Sequence, residues 1–298
     1  MRPRRLKQQA GRHALVDGIP FTLPVASHET PALMAAFRCD LDRAREALPG
    51  NELHPLDFFG RGLFVVTVVD YRVTNIGKYI EYSLAIACTH GAHPAPFGLP
   101  FLFRNTFGVG QYVVDLPVST EISVKGGKGI WGMPKHRASL DFLVSESAVS
   151  SQYNLDGQMV TRIDIARPSG PAIPLNLGAA NYCAFRGMLM KSYIHFKGKA
   201  RMALLGRARA SLMLGDHPRA NPLKRLGIER TPIFTAYFAE TAGVLDDHFE
   251  AWFLSDETQP TIPTEGLESV VGLGLDQTWP PPPRPVPPGG APAPPARV

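Results

Sequence analysis

The sequence has no hydrophobic run long enough to span a membrane. Its strongest apolar run, LFVVTVV at 63–69, is far shorter than the ~20 residues that a membrane helix needs. The β-branched composition of this run favours a buried strand instead. The basic N-terminus, MRPRR, is not followed by the apolar segment of a signal peptide. We therefore expect a cytoplasmic protein without membrane contact.

Paired cysteines and metal-ligand spacings are also missing. Cys39, Cys88 and Cys183 are isolated and odd in number, so they predict reduced thiols rather than disulfides or a zinc site. The closest histidines, His90 and His93, lie in a Pro/Gly-rich segment with no adjacent carboxylate. We expect no metal and no cofactor.

Nucleotide-binding and hydrolase motifs are lacking as well. The sequence GGKG at 126–129 precedes a predicted strand, without the strand-loop-helix context of a phosphate-binding loop. There is no G-x-S-x-G elbow. The net charge of +5 comes partly from the N-terminal arm. A solvated terminus is a simpler explanation for these basic residues than a binding site for nucleic acid. We expect no nucleic-acid partner.

Strand patterns dominate what is present. Helices are predicted at 40–50, where Asp40 can act as N-cap, near 221–227 and near 239–253. Segments with a period of two predict strands at 63–71, 79–88, 111–116, 139–144, 158–166, 188–196 and 200–214. Many strands with few helices predict a β-rich α+β protein built on an antiparallel sheet or barrel.

The chain is expected to contain one domain, over residues 19–258, because no repeat or linker interrupts it. Residues 1–18 are predicted to be a flexible basic arm. Residues 259–298 include WPPPPRPVPPGGAPAPPARV, which cannot bury a core or form strand ladders. They are predicted to be an extended, Pro-rich, disordered tail.

The segment GKGIWGMPKHRASLDF at 127–142 places a lysine at a well-defined position. Pro134 fixes its own φ and keeps Met133 out of the helical region, while Gly132 permits a tight approach. Lys135 therefore stands at the start of a strand. From spacing alone, a surface lysine after a turn is the simpler interpretation.

The same segment resembles the Gly-x-Pro-Lys motif of the acetoacetate decarboxylase family, which carries a Schiff-base lysine. Three further segments resemble that family in the same order: FRCDLDRAREALPGN at 37–51, GKYIEYSLAIAC at 77–88 and GDHPRANPLKRLGI at 215–228. The resemblance implies a cone-like antiparallel β-barrel with a few external helices and an internal hydrophobic pocket. It also implies a homo-oligomer.

Carried over by position, the resemblance implies that Lys135 is the nucleophile and Glu81 the pocket carboxylate. The amine would form an iminium with a β-keto acid, and the iminium would accept the electrons left by departing carbon dioxide. The predicted function is therefore a cofactor-independent, Schiff-base carboxy-lyase. Aldol, dehydration or hydrolytic chemistry on a larger carbonyl compound is an alternative, as is non-catalytic binding of a small molecule.

The alternation of residues 79–88 supports a pocket position for Glu81. Large side chains form one face, and Glu81, Ser83, Ala85 and Ala87 form the other. If the large face packs under a helix, Glu81 points into the barrel; a solvated small face is the alternative. The predicted substrate-binding residues are His136, Trp131, Met133 and Tyr82.

Three departures from the family pattern bear on the substrate. His136 stands where the decarboxylases of the family have a second lysine, so burial must favour the neutral amine of Lys135. No Lys or Arg lies between Arg12 and Arg38, where the family has an arginine suited to a carboxylate. The strand before Glu81 has Asp70 in place of a second glutamate. We therefore predict that acetoacetate is a poor substrate.

Overall fold

Strands make up most of the structure, a computed structural model that describes residues 11–255. The strands are β1 (Arg12–Val16), β2 (Ile19–Leu23), β3 (Val25–His28), β4 (Ala32–Cys39), β5 (Leu53–Pro55), β6 (Gly62–Tyr71), β7 (Val73–Thr74), β8 (Tyr79–His90), β9 (Gly110–Val118), β10 (Lys135–Arg137), β11 (Ser139–Leu140), β12 (Leu143–Val144), β13 (Ala148–Leu155), β14 (Gln158–Ala166), β15 (Ile173–Phe185), β16 (Met188–Leu204), β17 (Ala210–Leu214) and β18 (Pro232–Phe253). The helices are α1 (Leu41–Glu46), α2 (Leu99–Leu102), α3 (Glu121–Trp131) and α4 (Asn221–Arg225), with 3-10 turns at Leu205–Arg207 and Pro218–Ala220.

Seven strands close into a barrel in the order β9-β15-β16-β18-β4-β6-β8, with β8 pairing back to β9. Most ladders are antiparallel. Strand β9 pairs in parallel with β10 and, through Gln111↔Asn181 and Tyr182↔Tyr112, with β15. The predicted β-rich barrel with few helices is confirmed.

A second sheet, formed by β11, β12, β13, β14 and β17, covers one side of the barrel. Its Tyr153 and Ile163 belong to the same buried cluster as Tyr82 and Leu84 of β8. The large face of β8 therefore packs in one buried cluster with this sheet and with residues of α1 and α4, not under a helix alone. Because side chains alternate along β8, Glu81 lies on the inner face of the barrel.

Several local predictions are wrong. The predicted helix near 239–253 is the second half of β18, which pairs with β16 over almost its whole length. The predicted strand 200–214 is broken by the turn at Leu205–Arg207. The GGKG sequence lies inside α3, not before a strand.

The N-terminal part also differs from prediction. Arg12–Val16, within the expected flexible arm, pairs with β2 through a two-residue turn at Asp17 and Gly18, both with positive φ. Asp-Gly is the sequence that such a hairpin turn favours. Residues 1–10 and 256–298, which include the predicted tail, lie outside the described residues.

The predicted start of the first helix is confirmed. The side chain of Asp40 accepts hydrogen bonds from the backbone N–H groups of Asp42 and Arg43 and so caps α1. All three cysteines are buried and free of disulfides. None of the helices between residues 11 and 255 has the length and hydropathy of a membrane-spanning segment.

Candidate active site

The approach to Lys135 is built by the end of α3. This helix stops at Gly132, whose φ of 64° lies in the left-handed region that glycine tolerates best. The backbone N–H of Gly132 donates to the carbonyl of Lys128, and the chain then turns into β10. A Cβ on Gly127 would lie 2.3 Å from Cδ of Lys135. Glycine at 127 therefore leaves the space that the aliphatic part of Lys135 fills.

The amine of Lys135 is buried and paired. The side chain is only 4% exposed, and its Nζ lies 2.7 Å from Oε2 of Glu81. Nζ also donates a hydrogen bond of 3.1 Å to Oγ of Ser123 and lies 5.5 Å from the ring centroid of Tyr79. Strands β10 and β8 and helix α3 thus bring one cation and one carboxylate together out of water.

Two tyrosines complete the surroundings of Glu81. The rings of Tyr71 and Tyr79 are stacked, with centroids 4.6 Å apart. Burial, followed by the negative charge of Glu81, raises the pKa of both phenols well above the ordinary value. They therefore stay protonated at neutral pH, and the Tyr71 hydroxyl donates a hydrogen bond to Glu81.

Lys135 and Glu81 lie at a cavity of about 150 Å³ inside the barrel. Within the described part of the chain, they are the only charged residues that line it. The polar lining residues include Thr67, Ser83, Gln111 and Asn181. The apolar lining comes from Val25, Met34, Val69, Val113, Leu116, Met133, Leu177, Ala179, Ile194, Phe196, Val244 and Leu245.

A larger and more open groove of about 830 Å³ lies elsewhere, on β15, β16 and β18. Its cations, among them Arg167, Lys197 and Lys199, are exposed or half-buried. Solvent reaches these groups, so none of them is a buried amine. The smaller cavity is the better candidate because it holds a buried amine against a carboxylate.

The structure brings together only part of the predicted site. Met133 lines the cavity with Lys135 and Glu81. Tyr82 lies on the opposite face of β8, with its ring 6.0 Å from that of Tyr153. The indole N–H of Trp131 donates to the carbonyl of Asp246, so this ring supports the wall and does not line the cavity.

His136 also points away from the cavity, because adjacent residues of a strand face opposite sides. Its Nε2 lies 2.8 Å from the hydroxyl of Tyr153, and its Nδ1 lies 3.4 Å from Oδ1 of Asp115. Arg219 donates to the same Asp115 oxygen over 3.1 Å. Burial, assisted by Arg219, lowers the pKa of His136 to about 3, so the imidazole is neutral. Burial raises the pKa of Asp115 to about 6 despite Arg219.

Asp70 does not replace a second pocket glutamate. It pairs with Ile80 on the outer face of the barrel, and its Oδ2 accepts a 2.9 Å hydrogen bond from Arg72. The inner face of β6 presents Thr67, Val69 and Tyr71 instead. No further carboxylate is therefore placed beside Glu81 among residues 11–255.

Sequence reasoning missed the neighbours that hold the pair. Tyr71 and Tyr79 lie directly opposite each other in the β6–β8 ladder and share the inner face with Glu81. The alternation of these two strands contains that signal. Ser123 gives no such signal, because it lies on a helix that the sequence pattern did not predict. Among the described residues, no group of three or more His, Cys, Asp or Glu side chains is arranged to hold a metal ion.

Comparison with known proteins places the chain in a family. The family model of acetoacetate decarboxylase (ADC) matches residues 9–170, and the chain belongs to this family. Comparison with curated protein sequences gives no significant match.

Solved structures share the fold at low sequence identity. An acetoacetate decarboxylase from Legionella pneumophila is 15% identical, with a TM-score of 0.58, over 75% of this chain and 85% of that one. The enduracididine biosynthesis enzyme MppR, complexed with pyruvate, is 15% identical, with a TM-score of 0.56, over 80% of this chain and 93% of that one. At this identity the likeness extends to the fold alone.

Proposed function

We propose that the protein is a Schiff-base-forming enzyme in which the amine of Lys135 attacks a carbonyl substrate. The observation that carries this proposal is the buried Lys135–Glu81 pair, 2.7 Å apart, at the wall of a mostly apolar cavity. Family membership supports it, and so does MppR, a protein of the same fold that was solved with the carbonyl compound pyruvate.

The first step requires an uncharged amine. Transfer of a proton from Lys135 to Glu81 across their 2.7 Å contact gives the neutral amine that the attack needs, beside a carboxyl group that holds the proton. The amine then attacks the carbonyl carbon, and one proton of the resulting ammonium moves to the alkoxide oxygen to give a hydroxyl group. The new hydroxyl group leaves as water after accepting a proton from Glu81, so an iminium and a carboxylate remain.

Tyr71 and Ser123 hold the two reacting groups in place. The hydroxyl of Tyr71 donates to Glu81, and Oγ of Ser123 accepts from Nζ of Lys135. Each partner restricts one side chain to the geometry that the proton transfer needs.

The iminium can then form an enamine in two ways. Loss of carbon dioxide from a β-keto acid, the reaction that the family name suggests, would make the protein a lyase. Removal of a proton from the carbon next to the iminium, with Glu81 as base, would give the same enamine from a carbonyl compound without a carboxylate. The cavity favours the second route, because its described lining offers no cation except Lys135.

Borohydride trapping tests the proposed function. The protein is incubated with a β-keto acid or a neutral ketone, reduced, and measured by intact mass. We expect one adduct, located on Lys135 by peptide mapping and absent from Lys135→Ala. Lys128→Ala is the matched control, since burial lowers the pKa of the Lys128 amine and Lys128 does not line the cavity. Adducts spread over many lysines, or retained in Lys135→Ala, would contradict the mechanism.

A further inference from the structure

Two side-chain amides form a pair at the cavity wall. Nε2 of Gln111 donates a 2.8 Å hydrogen bond to Oδ1 of Asn181, and both residues line the cavity. They are directly opposite each other in the short parallel ladder between β9 and β15. A side-chain amide has two donors and an acceptor. The mutual bond therefore leaves Oε1 of Gln111 and the amide N–H groups of Asn181 available to a ligand.

This amide pair lies far from the reactive amine. Leu116 is opposite Lys135 in the β9–β10 ladder, and Gln111 is five residues earlier on β9. At ~3.3 Å per residue, the two positions are about 16 Å apart along the strand. Val113, which also lines the cavity, lies between them on β9. The cavity thus has a reactive site and a separate hydrogen-bonding site, with apolar lining between them.

The charges of the cavity cancel. Lys135 is neutralised by Glu81, and no other charged residue from 11 to 255 lines it. A carboxylate brought into such a cavity would lose its hydration without gaining a cationic partner. An uncharged polar group loses much less, and two amides can bind it through both donor and acceptor.

We propose that the substrate is an elongated, uncharged carbonyl compound with a hydrogen-bonding group, such as an amide or hydroxyl, at the end remote from the carbonyl. Gln111 and Asn181 bind that end while Lys135 attacks the carbonyl. This inference rests on the proposed Schiff-base function and adds the substrate class. For such a substrate the enamine arises when the electrons of the adjacent C–H bond move toward the iminium nitrogen and the proton passes to Glu81.

The test uses three sets of methyl ketones of increasing chain length, ending in a carboxamide, a carboxylate or an isopropyl group of the same shape. Each is trapped with borohydride, and the half-saturating concentration is read from intact mass. At chain lengths that span the cavity, the carboxamide should half-saturate at a roughly tenfold lower concentration than the isopropyl compound, since tenfold corresponds to about one good hydrogen bond. The carboxylate should bind worst.

Variants assign the preference to the amide pair. Gln111→Leu and Asn181→Leu should abolish the advantage of the carboxamide over the isopropyl ketone, measured as the ratio of their half-saturating concentrations. The matched control is Gln152→Leu, because Gln152 forms a similar amide pair with Asn154, at 2.9 Å, on the second sheet. This variant should leave the half-saturating concentrations of all three sets of ketones unchanged. If the Leu variants do not fold, Gln111→Glu should instead raise the affinity for a ketone that ends in trimethylammonium.

The outcomes separate the two proposals. If no ketone of any set is trapped, the Schiff-base function is wrong. If ketones are trapped on Lys135 with equal affinity for all three ends, or if the carboxamide preference survives in both Leu variants, the function stands and the substrate class is wrong. Tightest trapping of the carboxylate compounds also overturns the substrate class.

Discussion

Oε2 of Glu81 lies 2.7 Å from Nζ of Lys135, and the two side chains are 15% and 4% exposed. They come from strands that are not hydrogen-bonded to each other: β8 and β10 flank β9 on opposite sides. Removing one partner of such a buried charge pair strongly destabilises the folded protein, because the other charge is left in a low dielectric without compensation. The pair thus links the geometry of the barrel to the proposed chemistry.

Glu81→Gln should depress turnover much more than it depresses imine formation. The amide keeps the shape of Glu81 but cannot carry a proton between the amine, the leaving water and the substrate carbon. General acid–base catalysis contributes ~100-fold to 10,000-fold, and a loss in that range is expected. Steady-state turnover and borohydride trapping, each measured for the wild type and the variant, separate the two steps. Equal losses in both would assign Glu81 to imine formation alone.

Gly127→Ala should abolish trapping while the protein stays folded. The added methyl group would lie 2.3 Å from Cδ and 2.7 Å from Cε of Lys135, so the amine must leave its position beside Glu81. Alanine favours a helix over glycine by ~1 kcal/mol, which offsets part of the strain in α3. Circular dichroism and intact-mass trapping check the two expectations.

Gly126→Ala is the control for this variant. Its methyl group would meet the ring of Phe21, at 2.7 Å, and not Lys135. It should disturb the same turn of α3 and retain trapping. If Gly126→Ala loses trapping to the same extent, the effect of Gly127→Ala comes from a general distortion of the helix.

Lys135 and Glu81 show how far sequence reasoning reaches for the candidate site. The family resemblance around both residues, together with the alternation around Glu81, singles them out, and the structure places them 2.7 Å apart. Three glycines in residues 121–131 weaken the helical pattern, so α3 and with it Ser123 could not be predicted. The covering of Tyr82 by a second sheet depends on contacts with residues 148–166, which no local pattern specifies.

The half of β18 after Glu240 illustrates the same limit. Its apolar residues Leu245, Phe249 and Trp252 recur at intervals of four and three, which is typical of a helix. Pairing with β16 from Phe234 to Phe253 overrides that pattern. The prediction that His136 lies in the pocket fails for a different reason. Its nearness to Lys135 in sequence suggested a pocket position, but strand alternation places the two side chains on opposite faces.

His136 should make the protein sensitive to acid. Its pKa is lowered from 6.5 to about 3 in the folded state, so below pH 6.5 the unfolded chain binds a proton that the folded chain does not. Stability should therefore fall as the pH drops from about 6.5 toward 3, by ~1.4 kcal/mol per pH unit at most. The groups that face the imidazole are Asp115, Tyr153, Arg219, His217 and Lys128.

Thermal melting of the wild type and of His136→Asn across this pH range measures that contribution. Asp115 acts in the opposite sense, because its pKa is raised to about 6 and its contribution is lost as the pH rises from about 3.8 to 6. It is present in both proteins, so the difference between them reports mainly on His136. The variant should lose less stability on acidification, and parallel melting curves would contradict this account.

Acetoacetate should be a poor substrate, and an added cation should improve it. The described cavity lining has no partner for the acetoacetate carboxylate other than Lys135 itself. A charge-assisted hydrogen bond contributes ~1.5–3 kcal/mol, so its absence should lower kcat/KM roughly ten- to a hundredfold.

Met34 lines the cavity from β4, in the segment that precedes α1. Met34→Arg should therefore raise kcat/KM for carbon dioxide release from acetoacetate about tenfold. Met34→Leu, which keeps an apolar side chain there, should not. High kcat/KM with the wild type would show that another group binds the carboxylate.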